Sequence, residues 1–143
     1  HYYVLADRSG HFTPNGWANA VQSAYEEFSA DAVVVETNYG GEMVKNTMRN
    51  AGLDARIIEV HAKKSKRLRA EPVVGLYEQH KVHHVGEFPA METEMTEWVP
   101  DQGDSPNRLD VAVYGITELS KGARKAEISS PTRLRAIQGG LAS

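Results

Sequence analysis

The sequence predicts an α/β domain, and three observations carry that prediction. Apolar stretches of strand length alternate with longer stretches of helical periodicity, residues 31–36 (DAVVVE) form a continuous β-branched run, and glycine or proline punctuates most changes of pattern. A run of that kind marks a strand buried on both faces of a parallel sheet. The chain has 143 residues, 41% of them hydrophobic and 24% charged, which suits one domain with a core that needs no staple.

Residues 2–6 are a β-prone run closed by the turn cluster Asp7-Arg8-Ser9-Gly10. Thr13 followed by Pro14 reads as an N-cap with proline in the first helical position. Trp17, Val21, Ala24, Tyr25 and Phe28 then recur at helical spacing, so a helix is expected up to residue 30. After strand 31–36, Gly40 and Gly41 open a second helix carrying Met43, Val44, Thr47 and Met48, with Gly52 as its C-terminal cap. Residues 55–60 make a third strand, joined to the second by a crossover expected to be right-handed. Ser65 caps a helix to residue 79 that turns Ala70, Val73, Leu76 and Tyr77 inward and is kinked at Pro72. A short strand at 82–85 precedes an acidic amphipathic helix at 89–98, which offers Met91, Met95 and Trp98 to the core, and a polar loop at 99–105. From Pro106, the positions Leu109, Ala112, Val113, Ile116 and Leu119 mark a last helix stopped by Gly122. The domain is thus expected to occupy residues 1–122, with 123–143 as a tail.

Composition removes several classes of function. With no cysteine there is no disulfide scaffold, no thiolate zinc site and no cysteine nucleophile, so any metal must use carboxylate, imidazole or carbonyl oxygen. No apolar run approaches the roughly 20 residues of a membrane span, and the first residues lack a basic-then-apolar signal pattern, so the expectation is a soluble, intracellular protein. The net charge of −3 hides segregation. Residues 61–69, HAKKSKRLR, hold Lys63, Lys64, Lys66, Arg67 and Arg69, whereas residues 87–104 hold Glu87, Glu92, Glu94, Glu97, Asp101 and Asp104 without one Lys or Arg. A near-neutral total therefore leaves room for a local phosphate-binding surface.

Glu36 ends the buried strand, and Asp110 lies in the first turn of the last helix. Open α/β sheets gather functional groups outside the carboxyl ends of their strands, so the two acids can converge. Carboxylates brought together repel unless a divalent cation such as Mg²⁺ or Mn²⁺ lies between them. The plainer alternative is a strand-end acid and an acid that complements a helix dipole. The segment ETNYGG, residues 36–41, can hold phosphate on backbone N–H groups or simply turn tightly. Neither GxGxxG nor GxxxxGK[ST] occurs, and GxSxG is also absent. Lys and Arg from residue 63 to 69 oppose the helix dipole, an arrangement that a polyanion would justify, and the plainer alternative is a solvated charged face. His83 and His84, adjacent on a strand, point to opposite faces and do not share an ion.

Taken together, the phrases YYVLADRSG, TPNGWANA, VVVETNYGGEMV, KKSKRLRAEPVVGLYEQHKVHHVGEFP and SPNRLDVAVYGITELSKG resemble the C-terminal nuclease domain of the large terminase subunit of tailed bacteriophages, over residues 2–122. The resemblance implies a ribonuclease-H-like fold, a mixed sheet flanked by helices, and cleavage of double-stranded DNA with two divalent ions, Mg²⁺ or Mn²⁺. It matches Glu36 to the acid ending the central strand and Asp110, in NRLD, to the last acid, both as metal ligands. Asn38, Gly40 and Gly41 match the turn after the second acid. Lys64, Lys66, Arg67 and Arg69, with Lys63 beside them, match the basic segment that contacts DNA phosphate. Many relatives carry Asp where this chain has Asn107, which keeps an acceptor but no charge. Relatives begin this domain with a strand bearing the first catalytic Asp. This chain is expected to start after it, lacking the first strand or strands of the sheet and one metal ligand, with Asp7 as a lesser candidate acid. The Walker motifs of the family's N-terminal ATPase are absent. Implied partners are that ATPase domain, the small terminase, the portal and duplex DNA, in the cytoplasm of a bacterial host, with the isolated domain a monomer. Two alternatives stand beside this one: a non-catalytic module docking DNA or the portal, and a resolvase-like nuclease of the same fold.

Overall fold

The computed structural model describes the backbone of residues 1–37, 41–100, 102 and 106–129, and their side chains up to residue 122. In chain order its elements are β1 (Tyr2–Val4), α1 (Pro14–Glu27), β2 (Val33–Glu36), α2 (Gly41–Asn50), β3 (Ile57–Val60), α3 (Lys66–Glu78), β4 (Val82–His84), α4 (Pro89–Glu97) and α5 (Asn107–Ser129). β1 pairs with β4, Tyr2 opposite Val82 and Val4 opposite His84, while β2 pairs with β3, Val33 opposite Ile57 and Glu36 opposite Val60. Both described pairings are parallel. A helix separates each strand from the next, and α2 returns the chain so that β3 runs parallel beside β2.

The expected caps form. Thr13 has extended backbone and its hydroxyl accepts from the Gly16 N–H at 3.2 Å, with Pro14 opening α1. Ser65 caps α3 by accepting from the Leu68 N–H at 3.4 Å. Gly52 closes α2 at φ +86°, a left-handed conformation that a side chain would strain, and the next N–H, from Leu53, returns to the Met48 carbonyl at 3.0 Å. Pro72 lies inside α3 without dividing it.

The core lies where α3 and α5 cover the β1–β4 pair. Ala70, Val73, Val82, Val113 and Ile116 are buried together, with Tyr2, Val4, Leu76, Tyr77, Trp98 and Leu109 packed around them. Burying each such aliphatic side chain contributes about 1.5–3 kcal/mol. α4 adds buried Met91. The N-terminus of α5 is held from a distance: Glu94 of α4 accepts from the Arg108 and Leu109 N–H groups at 2.8 and 3.1 Å. Those are orphan donors of the helix start, satisfied by a side chain on another helix.

Two expectations are corrected. β2 is half-buried along its apolar residues rather than buried on both faces. Among the described residues it has one strand neighbour, β3, and a cavity of about 390 Å³ separates Ala32, Val33 and Val34 from Trp17, Val21, Tyr25 and Phe28. The last helix does not stop at Gly122 but continues to Ser129. One interior glycine costs about 1 kcal/mol relative to alanine, and Lys121 and the stretch ARKAE at 123–127 are good helix formers that carry the helix past it. Asp101 and residues 103–105 of the polar loop lie outside the described residues, as do residues 130–143 of the tail.

Candidate functional site

α5 packs against β2 and α3, so the first turn of α5 meets the end of β2 and the start of α3. There Asp110 accepts from two cations of α3, Lys66 Nζ at 2.6 Å and Arg69 Nη2 at 3.3 Å. Arg69 Nη1 lies 4.0 Å from Glu36 Oε1. Tyr114, one turn after Asp110, joins the two sides. Its hydroxyl donates to Glu36 Oε1 at 3.1 Å and accepts from Arg69 Nη1, while the guanidinium carbon stands 4.8 Å from the centre of its ring. Glu36 and Asp110 thus converge on one arginine, as strand-end and helix-start placement allows. Asp110 is 15% exposed and Arg69 13%, against 36% for Glu36. Helical spacing accounts for the group: Lys66 and Arg69 are three residues apart on α3, and Asp110 and Tyr114 four apart on α5, so each pair shares a face. Sequence reasoning misses Tyr114, although its position at i+4 from Asp110 is a signal that could find it.

The basic segment divides. Lys66 and Arg69 turn inward to the acids, and Arg67 pairs along its own helix with Glu71 at 3.5 Å. Exposed Lys63 and Lys64 line a cleft of about 880 Å³ that Arg69, Tyr114, His61, Lys81 and Lys121 also line. Arg69 and Tyr114, which hold the acids, thus share that cleft with lysines that face solvent, while Glu36 and Asp110 lie behind them and do not line it.

Gly41 starts α2, and a Cβ there would stand 2.7 Å from Glu59 Oε2 and 3.3 Å from the Thr37 side chain. Glu59 occupies that space, held by the Thr37 hydroxyl at 3.2 Å and by Lys45, so a side chain at Gly41 would displace its carboxylate from those partners. The hydrogen bond with Lys45 lowers the Glu59 pKa and raises that of Lys45, with burial opposing both shifts. His61 donates its Nδ1–H to the Thr37 carbonyl at 2.5 Å. Asn38 and Gly40 lie outside the described residues.

The structure places Asp7 with Arg108 rather than with the acid pair. Its carboxylate accepts from the Ser9 N–H at 2.9 Å and Arg108 Nε at 3.1 Å, and Arg108 Nη1 reaches Glu94 at 2.8 Å. Burial raises the Asp7 pKa, but the Ser9 and Arg108 interactions outweigh it and leave Asp7 below its ordinary value. Glu94 behaves alike, with burial outweighed by Arg108 and the two backbone N–H groups. Asn107 is exposed at the first position of α5. His83 and His84 take separate partners, as alternation on a strand requires. His83 stacks between His1 and Tyr3, while His84 donates Nδ1–H to Glu92 at 2.9 Å and accepts from the Tyr77 hydroxyl at 2.8 Å.

The donor chemistry of Glu36 and Asp110 fits a hard divalent ion, since both offer carboxylate oxygens. The two carboxylates are paired, among the described residues, with Lys66 and Arg69. No group of three or more His, Asp or Glu that could hold a metal ion gathers among the described residues. Among the described residues, no helix is long and apolar enough to cross a membrane. In comparison with known proteins, the family described as terminase RNaseH-like domain matches residues 2–123. No curated protein and no solved structure matches.

Proposed function

The chain belongs to the family of terminase RNaseH-like domains, and from that premise we propose that it cuts duplex DNA by metal-assisted phosphodiester hydrolysis during phage genome packaging. The observation that carries this reading is the convergence of Glu36 and Asp110 beside a cleft lined by solvent-facing lysines. Glu36 and Asp110 would hold the metal, Mg²⁺ or Mn²⁺, with two ions expected. When bound, such ions polarise the phosphodiester and lower the pKa of the attacking water. Tyr114 orients Glu36 through its hydroxyl. Lys63 and Lys64 take backbone phosphates, which positions the duplex without reading its sequence. Asp7 anchors the start of α5 through Arg108, and Asn107, uncharged and exposed, adds at most a neutral acceptor. Around this chemistry the reading places an ATPase domain, the small terminase and the portal as partners, in the cytoplasm of a bacterial host, with the isolated domain a monomer.

The test is cleavage of supercoiled plasmid in Mn²⁺, Mg²⁺ and EDTA by this chain and by a version extended upstream, each beside its Glu36→Gln variant. Metal-dependent nicking lost in Glu36→Gln supports the reading. DNA bound in EDTA but left uncut in both metals by both versions overturns it in favour of a docking module. Preference for four-way junctions over linear duplex moves it to a resolvase-like nuclease.

A further inference from the structure

Lys66 and Arg69 do more than neutralise the acids. Among the described residues two acids and two cations meet in one group. A divalent ion between Glu36 and Asp110 would balance the acids by itself and displace Arg69 and Lys66 from them. Arg69 is also incompletely satisfied where it lies: its Nε is buried without a hydrogen-bond partner. A buried donor left unpaired is destabilising, all the more on a charged group. Its neighbours in the cleft are Lys63 and Lys64, which have no carboxylate partner among the described residues. The other carboxylates lining the cleft, Glu59 and Glu118, are already paired with Lys45 and Lys121, so a phosphate oxygen beside Lys63 and Lys64 suits the fork of donors of a guanidinium released from the acids.

We infer that Lys66 and Arg69 are exchangeable counter-ions: they occupy the acid pair until a divalent ion displaces them, and Arg69 then passes to the DNA phosphate, so that metal and DNA bind cooperatively. The inference rests on the assignment of Glu36 and Asp110 as metal ligands made above, and it adds a coupling between two ligands through one side chain. It predicts opposite effects of one substitution on the two ligands. Removing either cation strengthens metal binding, because the ion no longer competes with a resident charge, and removing Arg69 abolishes the gain in DNA affinity that metal brings.

Mn²⁺ binding is measured by paramagnetic resonance on the wild-type chain, Lys66→Met, Arg69→Met and Asp110→Asn, without DNA. Each methionine variant is expected to bind Mn²⁺ about tenfold more tightly, the scale of one partly screened charge at this separation, and Asp110→Asn far more weakly than wild type. Duplex oligonucleotide affinity is then read by fluorescence anisotropy with and without Ca²⁺ at fixed ionic strength. The wild type should gain about fivefold with Ca²⁺, as expected for one added charge-assisted contact, and Arg69→Met should gain nothing. Should Arg69→Met fail to fold, Lys66→Met carries the metal arm. Mn²⁺ binding in the methionine variants no tighter than in wild type overturns the exchange, as does a wild type that binds no Mn²⁺. A Ca²⁺ gain retained in Arg69→Met overturns the passage to phosphate. Cleavage is not scored in either arm, so exchange without nicking would strike only the nuclease reading.

Discussion

Two clusters near the start of α5, two residues apart along the chain, are built from the same parts and differ in how completely those parts are satisfied. Around Arg108, two carboxylates and two backbone N–H groups close on one another: Asp7 on Nε, Glu94 on Nη1, and Glu94 again on the helix start. Around Arg69, two carboxylates and a tyrosine gather, yet Nε has no acceptor and the carboxylates share two cations. A closed set of charge-assisted bonds holds a fold, because any change leaves a group unpaired. An open set leaves a donor to spare, which the reading proposed above gives to DNA phosphate. That difference in satisfaction, rather than the acids and arginines common to both, is what assigns one cluster to the fold and the other to the proposed site.

The comparison breaks most visibly at Asp110. In Asp110→Asn, Mn²⁺-dependent cleavage is expected to fall at least ~100-fold, while DNA binding in EDTA persists; a plasmid assay and a filter-binding assay on the same sample check both halves. Glu94→Ala strikes the other cluster. Loss of a helix cap and of its ion pair is expected to cost about 1–2 kcal/mol in urea unfolding, with cleavage by the folded fraction unchanged. If Glu94→Ala instead abolished cleavage in a fully folded protein, the two clusters would not be separate in function. Replacing Lys63 and Lys64 together by Gln should lower the slope of log affinity against log salt by about 1.8, at about 0.9 for each phosphate no longer neutralised. A slope unchanged within error would move the phosphate surface elsewhere on the cleft.

The smallest effect is in acid. Asp7 and Glu94 have folded pKa values below their ordinary ones, so the stability they contribute is present above the ordinary carboxylate values of about 4 and is lost as pH falls through the lowered ones. Arg108→Met removes the partner that both share. Its melting temperature should therefore decline less steeply than that of wild type between about pH 4 and pH 2, and parallel curves would show that Arg108 is not what lowers those two acids.

Much of this is legible in the sequence. Thr13, Ser65 and Gly52 announce helix ends because caps are local chemistry, written within three or four residues of the donors they satisfy. Glu36 and Asp110 can be singled out because strand ends and first turns are themselves local features. Glu94 as the cap of α5 cannot, since its carboxylate arrives from a helix 14 residues away. The division of the basic segment is hidden for a similar reason: five cations in nine residues look alike in sequence, and only the position of α5 makes Lys66 and Arg69 inward, Arg67 a neighbour of Glu71, and Lys63 and Lys64 open to phosphate.

By itself, then, the sequence determined the order of strands and helices and the two acids at their ends, because periodicity and capping act over a turn or two of chain. The buried faces it determined only in part, since Phe28, Met43 and Leu119 of the periodic sets are exposed. Which charges meet was decided by tertiary structure. β2, α3 and α5 come from stretches of chain more than twenty residues apart, and an ion pair depends on distances of a few ångströms between side chains that only packing brings together. The half-burial of β2 has the same origin: its apolar run specifies a strand, whereas how much of that strand is covered depends on its neighbours.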